Sequence, residues 1–210
     1  MGYLKEMAEQ GYHPDSIGPF HRTMIPYLLG RLGLGRDDLI VEVGAAQGHC
    51  ILSAKWAGYN NLAVVDVDPF NFQRFQGEHQ IPCYRCDVEK DPFPLGDAQA
   101  GLVMGFHLIE HLREPGNFLH EARRLLKPGR GLVLVTPNWR KQYRTFWRDP
   151  THVHPYDKEG IARLLRMHGF KDVRIHSWGS AYGLGRLQAY RWVPRLGMIG
   201  CDVLAVGFKG

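Results

Sequence analysis

Residues Leu39 to Gly48 read LIVEVGAAQG, and this stretch decides the fold. Leu39, Ile40, Val41 and Val43 are apolar, interrupted only by Glu42. A continuous apolar run of this kind suits a strand buried on both faces of a parallel sheet. Gly44 and Gly48, just past it, let the backbone turn tightly and approach a ligand closely. The following HCILSAKWAG places Ile51, Leu52, Ala54, Trp56 and Ala57 as apolar positions and stops at Gly58, the pattern of a helix closed by a glycine. Strand, glycine turn and helix make a corner suited to a nucleotide.

The dinucleotide fingerprint G-x-G-x-x-G needs glycines at its first, third and sixth places. Counted from Gly44, Ala46 stands third and His49 sixth, and His49 cannot provide the close helix–strand packing of the last glycine. A pyrophosphate reading is therefore poor. Glu42 two residues before Gly44, with Gly48 beyond, instead resembles the first motif of class I S-adenosylmethionine-dependent methyltransferases. That motif is acid-x-Gly-x-Gly-x-Gly, and Ala46 replaces its middle glycine.

The chain has 210 residues, 44% hydrophobic and 22% charged, which suits one domain with a sizeable core. No apolar run approaches the ~20 residues that span a bilayer. The opening MGYLKEMAEQGYH lacks the apolar centre of a signal peptide, and Glu6 stands where a myristoylation signal wants Ser or Thr. A cytoplasmic protein is expected, without membrane insertion. Cys83 and Cys86 form a C-x-x-C, but no second pair accompanies it, so reduced structural thiols are expected rather than a metal. The net charge of +5 is modest, so solubility explains it as well as an acidic partner does. Its clustering in WRKQYRTFWR, residues 139–148, offers a surface for an anionic or ring-bearing ligand, or equally an exposed loop.

Working outward, residues 1–35 read as an N-terminal helical cap segment broken at Pro14 and Asp15, with residues 36–210 as the main domain. A second apolar run, Leu62 to Val65, ends in Asp66, at the spacing of a βαβ return strand. An acid there can accept from both hydroxyls of a ribose. Asp68 is the weaker choice because Pro69 opposes continuation of the strand. IPCYRCDV reads as a short strand ending near Asp87, AGLVMGF as a fourth, and a helix runs from about Pro115 to Leu126, closed by Lys127, Pro128 and Gly129. GLVLVTPN is a fifth strand. DKEGIARLLRMHGF is an amphipathic helix, and KDVRIHSW and CDVLAVGF follow as strands without a crossover helix, hence antiparallel. Strands alternating with helices define an α/β domain with a mainly parallel sheet.

Together VEVGAAQG, VVDVDP, the Asp87 turn, FHLIEHL, RRLLKPGRGLVLVTPN and the closing antiparallel strand resemble the class I methyltransferase domain. Within it the order is most similar to the ubiquinone-biosynthesis O-methyltransferases. The resemblance implies a Rossmann-like seven-stranded mainly parallel sheet with helices on both faces, a C-terminal antiparallel strand, and S-adenosylmethionine as cofactor. It also implies that Gly44, Ala46 and Gly48, with Glu42 nearby, line the methionine and ribose portion. Asp66 and the neighbouring Val67 would hold the ribose, Asp87 and Val88 the adenine, and Phe106 and His107 the methyl end. DPTHVHP, residues 149–155, is locally similar to methyltransferases of surface polysaccharides and sugars, favouring a small-molecule or glycan acceptor, with the basic segment reading any acidic group. His107, Glu110 and His111 also spell H-x-x-E-H, a zinc peptidase pattern, but directly after a strand rather than mid-helix, so no zinc is expected.

Transfer to an oxygen is an in-line displacement on an already activated sulfonium, so the protein mainly aligns the reactants and excludes water. A hydroxyl acceptor also needs a proton acceptor, and histidine suits it. His152 is the first candidate, with His107 and His154 beside it and Asp149 as an orienting acid. Two alternatives stay open: a nucleic-acid methyltransferase, disfavoured because GFHL replaces the Asn/Asp-Pro-Pro-Tyr/Phe of base-modifying enzymes, and a non-catalytic S-adenosylmethionine-binding protein. The acceptor and the oligomeric state are not legible.

Overall fold

The computed structural model describes residues 17–179 and 189–210. One seven-stranded sheet runs in the order β3-β2-β1-β4-β5-β7-β6. Its strands are β1 (Leu39–Val43), β2 (Leu62–Asp66), β3 (Cys83–Arg85), β4 (Ala100–Phe106), β5 (Leu126–Pro137), β6 (Phe170–Trp178) and β7 (Asp202–Lys209). β3, β2, β1, β4 and β5 pair in parallel, and β7 lies antiparallel between β5 and β6. This is the Rossmann-like sheet with one antiparallel C-terminal strand. Strand order reverses between β1 and β4, so a crevice opens beyond their carboxyl ends.

The two-residue period of the strands divides the core into two layers. Ile40, Val64, Met104 and Val135 face one side, where α1 (Pro19–Arg31) and α2 (His49–Trp56) bury Met24, Ile25, Leu29, Ile51 and Leu52. Val41, Val65, Val103 and Leu134 face the other, covered by Phe118 and Leu119 of α4 (Pro115–Leu125) and by Ile161 and Leu165 of α6 (Lys158–Met167). Each fully buried Leu, Ile or Phe contributes about 1.5–3 kcal/mol, so neither layer is dispensable. Two shorter helices are α3 (Pro69–Gln73, continued by a π turn over Arg74–Glu78), whose Asn71 borders the crevice, and α5 (Trp139–Gln142). Among the described residues no helix is long and apolar enough to cross a membrane.

Local chemistry sets the element ends. Pro115 occupies the first turn of α4, where its missing N–H costs nothing. The Asp157 carboxylate accepts from Gly160 N at 2.8 Å and caps α6, and Gly169 ends it at φ 83°. One boundary differs from the sequence reading. Lys127 to Arg130 do not lie outside the sheet; β5 already begins at Leu126, and its ladder to β4 slips between the pairs Ala100↔Leu126 and Leu102↔Gly131. The extra residues are absorbed as a bulge. Pro14, Asp15 and much of the glycine-rich segment before β7 lie outside the described residues.

Cys83 and Cys86 go to opposite faces of the sheet, one in each core layer, and both are buried free thiols. Burial pushes their pKa values up to about 12 and about 11, the reverse of what thiolate ligands need.

Gly48 sits at φ 74°, and a Cβ there would lie 2.6 Å from the ring of Phe75, itself fully buried. Left-handed backbone costs a side chain about 1–2 kcal/mol and overpacking about 1–3 more. Gly48→Ala is therefore expected to destabilise the fold by about 2–5 kcal/mol, read as a lowered urea midpoint at unchanged slope.

Candidate active site

The site is built where β1, β2, β4 and β5 end. Gly44 and Gly48 take positive φ, and so does Ala46, at φ 45°. The family position occupied by Ala46 therefore retains a glycine-type backbone even though the glycine is gone. The turn is closed by Gly48 N donating to Ala45 O, and Gly44 N donating to Val65 O ties it to β2. Gly44 also lets Leu108 approach closely, since a Cβ there would lie 2.7 Å from Leu108 Cδ1.

Glu42, 2% exposed, turns its carboxylate to the start of α2, where Oε2 accepts from Ile51 N at 2.8 Å. It serves as a cap delivered from the preceding strand, because Gly48 has no side chain to offer. Burial nevertheless pushes its pKa up to about 8. Asp66, also buried, accepts from Asp68 N and from Asn71 Nδ2, both at 2.9 Å. Burial raises its pKa as well. Asp68 is instead a helix cap, accepting from Phe70 N at 2.9 Å.

Two adjoining cavities share a wall. One, of about 320 Å³, is lined by Gly44, Ala46, Asp66, Val67, Asn71 and His107 among others. The other, of about 600 Å³, takes in Glu42, His49, Phe106, His107, Glu110 and His152. Ala46, His107 and His111 line both. Phe20, Trp178 and Tyr190 form an aromatic wall on the larger one, with Phe20 5.5 Å from Trp178 and 5.2 Å from Tyr190 between ring centroids.

His107 sits at the junction at φ 49°, a strained conformation for a residue other than glycine. Its Nδ1 is 3.3 Å from Glu110 Oε1 and its Nε2 3.7 Å from Asp202 Oδ2. Burial disfavours its charged form, but contact with Glu110 and the charges of Glu110 and Asp202 outweigh it and raise its pKa. His21 of α1, 5.2 Å from the His49 ring, behaves oppositely: burial, with His49 and His107 nearby, lowers its pKa to about 4.

Three groups of sequence-predicted residues have other partners in the structure. His154 lines neither cavity; its Nε2 faces Arg113 O at 3.0 Å, because the loop turns its ring back toward the stretch before α4. Asp87 and Val88 line neither cavity either. The Asp87 carboxylate is taken by Lys90 Nζ at 2.8 Å and Glu89 N at 3.2 Å, and the Val88 side chain is buried in the second core layer. The basic segment is half consumed by the fold, since Arg140 pairs with Asp157 and Lys141 Nζ donates to Gly200 O. Conversely, Phe20, His21, Asn71, Trp178, Tyr190 and Asp202 belong to the site but carry no motif; only Asn71, five residues past Asp66 on a short helix, had a spacing that could have shown it.

The model of a methyltransferase domain family matches residues 15–175. The chain belongs to this methyltransferase family. Its cofactor is S-adenosylmethionine. Among solved structures, an S-adenosylmethionine-dependent methyltransferase from Archaeoglobus fulgidus superposes with TM-score 0.72 at 21% identity, covering 99% of this chain and 100% of that one. A putative methyltransferase from Haloferax volcanii, seen with the activator Trm112, gives TM-score 0.74 at 14% identity over 100% and 98%. These likenesses establish the fold. In sequence the chain is 27% identical to a malonyl-[acyl-carrier protein] O-methyltransferase of Marinomonas sp. over 62% of this chain and 49% of that protein. It is 33% identical to a probable S-adenosylmethionine-dependent methyltransferase of Mycolicibacterium smegmatis over 79% of this chain. The methyltransferase chain thus spans 49% and 62% of the lengths of these two relatives.

Glu42 supplies a pH test. Its folded pKa of about 8 stands above the ordinary 4.5, so folding takes up a proton between these values. The associated stability is full below about 4.5 and is lost as pH rises through 8. His21, with its pKa lowered from 6.5 to about 4, acts in the other sense and below pH 6.5. Between pH 6.5 and 8 the unliganded protein should therefore lose stability with rising pH by up to about 1.4 kcal/mol per unit more than Glu42→Gln, measured by urea titration at each pH.

Proposed function

We propose that the domain transfers the methyl group of S-adenosylmethionine to an oxygen of a small-molecule or glycan acceptor, with the cofactor and acceptor meeting at His107. The observation that carries this reading is the shared wall: Ala46, His107 and His111 border both cavities, so ligands in the two halves would touch there. The smaller half suits the adenosyl portion, with Gly44, Ala46 and Val67 against it and Asp66, braced by Asn71, accepting from the ribose hydroxyls. Glu42 and Gly48 hold the turn and helix that shape this half, and Phe106 closes the methyl end. The larger, aromatic-walled half suits a ring-bearing or sugar acceptor.

A proton leaving an acceptor hydroxyl has a receiver in His107. Its imidazole is flanked by Glu110 and Asp202, whose carboxylates favour the protonated ring and raise its pKa. The O-methyltransferase of Marinomonas is the relative that favours oxygen, in line with the motif likeness to ubiquinone-biosynthesis enzymes. A nucleic-acid acceptor is less favoured, since Arg140 and Lys141 are committed within the fold.

Thermal denaturation with S-adenosylhomocysteine, S-adenosylmethionine and NAD tests the cofactor half. A ligand at 100 times its Kd adds about 2.7 kcal/mol, roughly 5–10 °C for a domain of this size. Shifts are expected with the two adenosyl-sulfur ligands and not with NAD, and Asp66→Ala should lose most of them. His107→Ala should keep the shift but lower turnover about 10²-fold or more once an acceptor is found by screening sugars and acidic small molecules.

A further inference from the structure

The larger cavity holds a cluster that methyl transfer does not require. A carboxylate oxygen of Glu110 and one ring nitrogen each of His111 and His152 lie within 4.8 Å of one another. Glu110 is fully buried, and among the described residues neither of its oxygens has a well-formed hydrogen bond; the contact from His107 Nδ1 to Oε1 is long, at 3.3 Å. A buried carboxylate so poorly satisfied is costly unless a cation joins it.

The hydrogen bonds around the two histidines determine which nitrogen is open. Thr151 Oγ1 donates its single proton to Asp149 Oδ1 at 2.6 Å, since a carboxylate can only accept. Toward His111 Nδ1, 2.8 Å away, the same hydroxyl can then only accept, so Nδ1 carries the proton and Nε2 keeps its lone pair. His152 Nδ1 lies 2.8 Å from the carbonyl of Phe146, which likewise only accepts, leaving its Nε2 with a lone pair. Both rings are thus held by an outer N–H bond, the arrangement that orients metal-ligating histidines. His152 Nε2 also stands 3.9 Å from Asp149 Oδ2, so two electron-rich groups face each other.

The two ligand-bearing segments are locked together. Val153 N and His154 N both donate to Glu110 O, at 2.8 and 3.1 Å, fastening the 151–154 loop to the 3₁₀ turn Ile109–His111. From these observations we propose that Glu110, His111 and His152 bind one divalent transition-metal ion, of the zinc type, with an open coordination position facing the acceptor half of the cleft. Two imidazoles and a carboxylate with a free position are a zinc-type donor set. The H-x-x-E-H spelling is used differently from a peptidase: His107 orients Glu110 from outside, and His152 supplies the third ligand. Binding of the ion stands independently of the methyl-transfer reading. Its use, to hold an acceptor oxygen and ease loss of its proton, rests on that reading.

The test is calorimetric titration of chelator-treated, dialysed protein with Zn²⁺, and with Co²⁺ for its visible absorption. One equivalent should bind in the wild type and in His154→Ala. Loss of an outer-shell partner costs metal sites about 10–100-fold, so Thr151→Val should weaken binding by that much and His152→Ala by more. Thr151→Val, which removes no ring, serves where His152→Ala fails to fold. Absence of stoichiometric binding to the wild type, or binding unchanged in both variants, would overturn the site. An S-adenosylhomocysteine shift measured on the same samples separates the claims. A shift without metal binding sinks the metal site alone, and metal binding without a shift sinks the cofactor assignment alone.

Discussion

The bond from Ile51 N–H to the Glu42 carboxylate, 2.8 Å long and buried, is the constraint around which the cleft forms. A helix that starts directly after a glycine turn has no side chain at its cap position, and its first N–H groups are left open. Glu42 reaches across from β1 to satisfy one of them, so strand and helix are joined by a buried hydrogen bond and not by packing alone. The turn between them must then curl through positive φ at Gly44, Ala46 and Gly48. That curl exposes backbone where a ligand can approach. The burial that gives Glu42 this role also makes its ionisation expensive, which is why its pKa stands at about 8.

Much of this was legible because each element obeys a local rule. The run LIVEV, the alternating faces of AGLVMGF and LVLVTP, Pro115 at a helix start and Gly169 at a helix end all state their structure within a few residues. Asp66 was readable for the same reason, as the acid that ends β2. The illegible parts are those set by distant segments. Lys127 to Arg130 look like the end of a helix, and only pairing with β4 makes them a bulge. His154 and His152 are two residues apart, and nothing in their spacing says that one faces Arg113 O while the other faces the cavity.

The two halves of the cleft differ in where their residues come from. The smaller half is assembled from consecutive strand ends and the turns after them, all between Gly44 and Thr151. Its shape follows from sheet order, which is why motifs can identify it. The larger half also draws on Phe20 and His21 from α1, Trp178 from the end of β6, Tyr190, and Asp202 at the start of β7. These positions are distant in sequence and meet only because β7 inserts between β5 and β6. No local pattern can announce such a wall.

That division bears on how a single scaffold acquires an acceptor. The smaller half is held by hydrogen bonds to backbone and by buried carboxylates, groups whose replacement leaves unsatisfied partners inside the sheet. The aromatic wall is held by edge contacts between Phe20, Trp178, Tyr190 and Phe106, at centroid distances of 5.2–6.0 Å. Such contacts are each worth about 0.5–1.5 kcal/mol beyond burial and tolerate exchange of one ring for another. Change in the wall therefore costs stability little while changing the volume and polarity offered to the acceptor. His107, strained between the halves and flanked by Glu110 and Asp202, is shared by both. Its position is dictated by β4 and its surroundings by β7, so it is where the two sets of constraints must agree.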